Sequence, residues 1–173
     1  MEDFDTLGMF EALDSQRRER GFSWPAAARA IWEQSSELNE RRGDHPISPA
    51  TLTGMARRGD TTCQHALFVL RWLGRSPESF MPDAGARARE RPLPSAGADR
   101  RLRWTLKKLH AALDEQRRER GLTWAQLADE LGCTTSQLTG IRTARFAISM
   151  VLAMRIVRWL ERPAADFVYV ARW

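Results

Sequence analysis

The chain has 173 residues, with 27 Lys and Arg against 22 Asp and Glu and a formal net charge of +5, enough for one large domain or two small ones. Hydrophobic residues make up 43% and charged residues 28%, a globular composition that excludes wholesale disorder. No run approaches the ~18 apolar residues of a membrane span, the acidic start MEDFDTLGMF lacks the apolar stretch of a secretory leader, and two cysteines are no disulfide framework, so a cytoplasmic protein is expected.

In chain order, residues 1–80 form a first unit of net charge −2. It contains ALDSQRRERGFSW at 12–24, and SWPAAARAIW opens a helix in which Pro25 is tolerated in the first turn. EQSSELNERRGDHP follows, and either extends that helix or opens a turn. In ISPATLTGMARRG, Ser48 can cap a further helix, with Pro49 at its first position. Residues 81–100, MPDAGARARERPLPSAGADR, have linker composition, and a free chain of that length spans ~25 Å.

The second unit, 101–173, carries a net charge of +6. Leu102, Leu106, Leu109 and Leu113 recur at helical spacing and predict a first helix that ends before Gly121. Thr123 with Gln126 is a capping box opening a helix through Leu131, which Gly132 ends. Thr134 with Gln137 is a second box, opening a short helix to about Arg142. A fourth helix is predicted from about Ser149 to Leu160, and Pro163 starts a last helical turn. The tail FVYVARW is apolar and β-prone, fit either to pack back on the unit or to dimerise.

The two units match one another. ALDEQRRERGLTW at 112–124 repeats residues 12–24 with three of thirteen positions changed, LTGI at 138–141 repeats LTGM at 52–55, and RWLERPAADF at 158–167 repeats RWLGRSPESF at 71–80. Three collinear matches read as a duplication in which the first copy carries 14 extra residues within roughly 33–46. The expected fold is all-α, with two tandem units of about four to five helices each.

TWAQLADELGCTTSQLTGIR places two short helices about three residues apart, with Ala128, Leu131, Leu138 and Ile141 as the facing apolar positions. This stretch resembles the Cro and phage-repressor type of helix-turn-helix regulator, also called the XRE family: Leu127-Ala128 in the first helix, Gly132 at the turn, Thr134 as cap, apolar residues at 138 and 141. The resemblance covers about 106–167 well and 6–80 less well. It departs where Trp124 stands in place of the family's frequent Gln, and where Arg142 and Ala144 replace a final Glu and Gly. The resemblance implies a λ-repressor-like fold and a recognition helix, at about 134–142, in the DNA major groove.

With Leu138 and Ile141 inward, the opposite face of that helix carries Ser136, Thr139 and Gly140, flanked by Thr135 and Arg142. By resemblance, Thr135, Ser136, Thr139 and Gly140 face the groove floor, with Gly140 allowing close backbone approach. None is a bidentate base reader, so modest direct readout is expected, helped by Gln137, Arg142 and Arg145 at the helix ends. Thr123 and Trp124, at the start of the preceding helix, are candidate phosphate contacts through the indole N–H and its neighbour. In the first unit Pro49 and Ala50 occupy the positions of Thr135 and Ser136, which leaves Arg57 and Arg58 as the phosphate candidates. The plainer readings are helix-start chemistry for Thr135 and Ser136, a tight helix contact for Gly140, and solvated helix ends for the two QRRERG segments.

His45, His65 and His110 are scattered, and Cys63 and Cys133 are not equivalent in the repeat, so no metal-ligand spacing exists. Cys133 reads as a buried thiol, with redox sensing as the alternative. Paired Trp24 and Trp124, and Trp72 and Trp159, read as packing. No phosphate loop, nucleophile elbow or catalytic carboxylate pair appears, so neither an enzyme nor a cofactor is expected. The sequence leads to a cytoplasmic transcriptional regulator, a repressor, whose partner is double-stranded DNA, with a homodimer or protein partner left open and no membrane. The competing reading is a protein-interaction module on the same scaffold, binding an effector or toxin.

Overall fold

A computed structural model describes residues 3–144 and 147–173. Ten α-helices, three 3-10 turns and a two-stranded sheet account for the described elements. Helix α1 (Thr6–Glu19) is capped by Asp5, whose carboxylate accepts from Gly8 N at 2.7 Å. Helix α2 (Trp24–Glu33) starts at the Ser23 cap with Pro25 in its first turn. The extra residues of the first unit open the turn and form α3 (Ser36–Arg42). Helix α4 (Pro49–Arg58) begins at the Ser48 cap, and α5 (Cys63–Leu73) begins at Thr62 and ends at left-handed Gly74. A 3-10 turn (Pro77–Phe80) and α6 (Ala84–Ala88) follow.

The second half runs through strand β1 (Arg101–Trp104), α7 (Leu106–Glu119), α8 (Trp124–Leu131), α9 (Thr135–Gly140), a 3-10 turn (Ile141–Thr143), α10 (Met150–Trp159), a 3-10 turn (Ala164–Phe167) and β2 (Val168–Ala171). Both expected capping boxes form. Gly121 adopts φ +67° and Gly132 φ +62°, left-handed conformations that an L side chain adopts only with strain.

One expectation is corrected by the sheet. Leu102 belongs to β1, not to the helix that begins at Leu106. Its four-residue step to Leu106 fits a helix, but Leu102 pairs antiparallel with Val170, and Arg101, Arg103 and Trp104 face Ala171, Tyr169 and Val168. The apolar tail therefore packs back on the chain, and the fold is mainly α with one short sheet added.

Residues 81–100 follow a fixed path over the first half. Arg71 donates to the carbonyls of Ala96 at 2.7 Å, Gly97 at 3.1 Å and Arg100 at 3.3 Å, and Ser76 Oγ bonds Glu90 at 2.5 Å. Helix α3 holds the far end: Leu38 N donates to Ala98 O, and Ser35 Oγ donates to Arg100 O at 2.7 Å. Arg101, 5% exposed, sits over the Trp32 and Phe68 rings and bonds Asn39 and Asp44.

The halves share one apolar cluster that runs from Phe4 through Leu67 and Leu70 to Ile156 and Phe167. A segment of about 75 residues buries too little surface to be more than marginal alone, and pooling the interiors relieves that limit. At the seam, Thr62 and Ser149 form an antiparallel bridge. Cys63 N donates to Ile148 O at 2.9 Å and Met150 N to Thr61 O at 2.7 Å. Exchanging the two halves turns each bond into the other, so a local two-fold axis passes between Thr62 and Ser149.

Candidate nucleic-acid interface

Helices α8 and α9 are joined by three residues, Gly132 to Thr134. The turn closes through Cys133 N to Ala128 O at 3.0 Å, with left-handed Gly132 at the corner. Leu127, Ala128, Leu131, Leu138 and Ile141 are all buried between the helices. This inward set fixes which face of α9 looks out. Thr135, Ser136, Gln137 and Thr139 are exposed, as are Arg142 and Thr143 beyond the helix.

The exposed face is partly engaged in its own helix chemistry. Gln137 Oε1 accepts from Thr134 N at 2.8 Å and from Thr134 Oγ1 at 3.1 Å, which leaves its NH2 group to meet a ligand. Thr139 Oγ1 donates to Thr135 O at 3.1 Å, and its methyl group remains outward. No side-chain hydrogen bond engages Ser136 among the described residues. Gly140 is half-buried with helical φ −70°, so its conformation does not demand glycine. Arg145 lies outside the described residues.

At the start of α8, Thr123 Oγ1 donates to Gln126 Oε1 and accepts from Gln126 N. Trp124 stacks on His110 with ring centres 5.3 Å apart, and the Arg117 guanidinium lies 4.6 Å from its ring centre. Arg117 also bonds Asp114 and donates to Leu122 O at 2.5 Å. The same arrangement recurs at Phe10, Trp24, Arg17, Asp14 and Phe22. Arg20 and Arg120 cover Trp72 and Trp159, while Gln16 and Gln116 donate to the carbonyls of those two tryptophans. The shared motif thus ties α1 to α5 and α7 to α10. Burial holds the His110 imidazole below its usual range, with Asp114 opposing and Arg142 adding to the depression. Burial likewise raises the Cys63 thiol well above its usual range and the Cys133 thiol above it, so neither is poised as a thiolate.

In the first half, α4 occupies the place of α9. Leu52 and Met55 are fully buried, and Thr53 Oγ1 donates to Pro49 O at 3.2 Å. Arg57 and Arg58 project from its last turn, and the Arg58 guanidinium folds over Gly54. One depression beside the seam is lined by Arg57, Arg58, Ala147 and Ser149, and another by Arg142, Thr143, Thr62 and Ala147. The cations that end α4 and the one that follows α9 thus flank the same bridge.

Among curated proteins, the chain is 31% identical over 62 residues to an uncharacterized HTH-type (helix-turn-helix) transcriptional regulator of the archaeon Methanothermobacter thermautotrophicus, covering 36% of this chain and 90% of that protein. The chain belongs to the helix-turn-helix type transcriptional regulators. No family model matches it, and no solved structure does.

The regulator braces its turn with residues that sequence reasoning missed. Arg155 donates to Leu131 O at 3.1 Å and Gly132 O at 3.0 Å, and makes a two-pronged pair with Asp3 at 2.6 Å on each arm. That pair raises the Arg155 pKa and lowers that of Asp3. The available signal was Arg155, one of two Arg inside the largely apolar run MVLAMRIVRW; its partner lies 152 residues away. Among the described residues no cluster of His, Cys, Asp or Glu could hold a metal, and no helix is long and apolar enough to cross a membrane.

Proposed function

We propose that the regulator binds duplex DNA through α9 in the major groove and represses transcription by occupying its site. The observation that carries this reading is the outward face of α9. Thr135, Ser136, the Gln137 amide and the Thr139 methyl stand exposed on a helix whose other face is locked by Leu138 and Ile141. A helix exposed along one side is the element that the groove admits. Hydroxyl and methyl groups discriminate bases less sharply than bidentate amides or guanidinium groups do, so backbone contacts from Arg142 and Arg145 supply much of the affinity.

The tandem units add a second part to the proposal. The exchanged bonds at Thr62 and Ser149 favour a chain that carries out alone what dimeric relatives do with two subunits: two half-sites about one helical turn apart. Helix α9 reads one, and α4, with Pro49 and Ala50 at its outward start, holds the other through Arg57 and Arg58. Footprinting on DNA fragments selected from the source genome tests this. Two protected half-sites per bound chain are expected, and protection of one alone removes the second part.

The bare start of α4 is also what favours the second reading, a scaffold that docks an effector or toxin protein. Binding to random duplex at two salt concentrations separates them. A negative salt slope that Arg142→Ala reduces belongs to DNA binding; no retention of duplex at low salt favours the protein partner.

A further inference from the structure

A cavity of about 540 Å3 opens at the seam, between the segment following α9 and the β1–α7 junction, within the range of small-molecule sites. Its walls include Trp104, Leu106, Ile148 and Tyr169. Arg103, Lys107 and Arg142 stand around it, and none of the described lining residues is an Asp or Glu. Arg103 is engaged, donating to Trp173 O at 2.7 Å and lying over the Trp173 ring. No hydrogen bond or ion pair holds Lys107 or Arg142 among the described residues, and both are exposed. Trp104 is 8% exposed, and its Nε1 is buried with no hydrogen-bond partner.

We infer that this cavity is a binding site for a small apolar carboxylic acid, whose ring or chain lies among Trp104, Leu106, Ile148 and Tyr169 and whose carboxylate is held by Lys107 and Arg142. The chemistry selects an acid over a neutral or basic ligand. The cavity wall is largely apolar, no acidic side chain is among its described lining residues, and Lys107 and Arg142 carry no counter-charge among the described residues. The site also touches both parts of the proposed reading machinery: Arg142 and Thr143 lie in the 3-10 turn after α9, while Thr62 belongs to the bridge between the halves and Ile148 precedes its partner Ser149. Resting on the DNA-binding reading, a carboxylate on Arg142 withdraws that cation from phosphate. The acid therefore weakens DNA binding, and DNA weakens the acid by the same factor.

The site itself is tested without DNA. The full chain is titrated calorimetrically with 2-naphthoate and with its neutral isostere 2-naphthamide. Saturable one-to-one binding of the acid is expected, with the amide weaker by about tenfold, in line with the loss of one charged hydrogen bond. Lys107→Gln, at an exposed position, should weaken the acid by a similar factor and leave the amide unchanged. Ala147→Trp, which fills the mouth, should abolish both. No saturable binding, equal binding of acid and amide, or an unchanged acid affinity in Lys107→Gln would each overturn the site. A second titration measures duplex affinity with and without saturating 2-naphthoate. An acid that binds yet leaves duplex affinity unchanged overturns the coupling, whereas a chain that binds the acid and no duplex at all sustains the site and removes the DNA-binding reading.

Discussion

In the second half, α8 passes to α9 through three residues, with Arg155 and Asp3 bracing the corner. In the first half α3 fills the same junction, and Phe68 stands at the position of Arg155, packed edge-on against Trp32 with ring centres 5.8 Å apart. Beneath these differences the motif contacts coincide: Gln16 and Gln116 on the tryptophan carbonyls, Arg17 and Arg117 over the paired tryptophans, Leu52 and Leu138 fully buried. The interior tolerates little change because each buried side chain meets many others. The outer faces are free to diverge, so one copy presents hydroxyl groups where the other presents Pro49 and Ala50. The second copy carries the exposed hydroxyl groups on which the proposed base readout rests. The first suits holding the chain in place, clamping residues 98–101 through α3 and residues 96 and 97 through Arg71.

The comparison breaks most readily at the shared interior. Leu138→Ala and Leu52→Ala each remove a fully buried side chain and should each cost about 2–5 kcal/mol of folding stability. Because the halves share one cluster, both should lower a single cooperative denaturant transition. Two separate transitions, one shifted by each variant, would mean that the halves fold independently. Next in size is Arg155→Met, which mimics the apolar side chain of the first half. It strands Asp3 and the Leu131 and Gly132 carbonyls, for an expected loss of about 1–3 kcal/mol. Amide exchange should quicken in the α8–α9 turn more than in α2–α4; uniform quickening across both halves would contradict a local brace.

These contrasts also mark what the sequence could reveal. Leu127, Ala128, Leu131, Leu138 and Ile141 declare themselves by spacing, and the Thr123 and Thr134 caps by a partner three residues on, because helix chemistry is local. Leu102 misled because a strand ending four residues before Leu106 satisfies the same spacing. What decides against the helix is pairing with Val170, far along the chain. The role of α3 depends on Arg101 reaching Asn39 and Asp44, and the brace of the turn on Asp3 reaching Arg155. No periodicity encodes such contacts. At the candidate interface, the outward direction of α9 and the engagement of Gln137 in its cap were legible, while the seat of Trp124 between His110 and Arg117 emerged only with the packing.

At the proposed DNA face the comparison can be sharpened by charge. Arg142→Ala should weaken duplex binding by about tenfold and reduce the salt slope by about one, as expected when one phosphate contact is lost. Arg57→Ala and Arg58→Ala should produce the same change in slope without altering preference among DNA sequences. Thr135→Ala should instead alter preference and leave the slope unchanged. Fluorescence anisotropy across a salt series, on a selected duplex and a scrambled one, separates these outcomes. A sequence-dependent effect from Arg57 would assign base reading to the first half as well.

The smallest expected effect comes from the one ring that differs within the shared tryptophan motif, His110 in the second half and Phe10 in the first. Burial lowers the His110 pKa below the ordinary value of 6.5, so the unfolded chain binds more protons in the interval beneath that value. Stability linked to His110 is therefore complete above about pH 6.5 and is lost as pH falls through the folded-state pKa. His65, also lowered by burial, contributes in the same direction, and Glu78, raised by burial, in the opposite one. The informative quantity is therefore the difference between the wild-type chain and His110→Phe. That variant keeps the stack on Trp124 as Phe10 keeps it on Trp24, and it should show a shallower fall in melting temperature between pH 7 and pH 5. Parallel curves would mean that the second-half stack accepts a charged imidazole as readily as a neutral one, and that its likeness to the first half is one of shape alone.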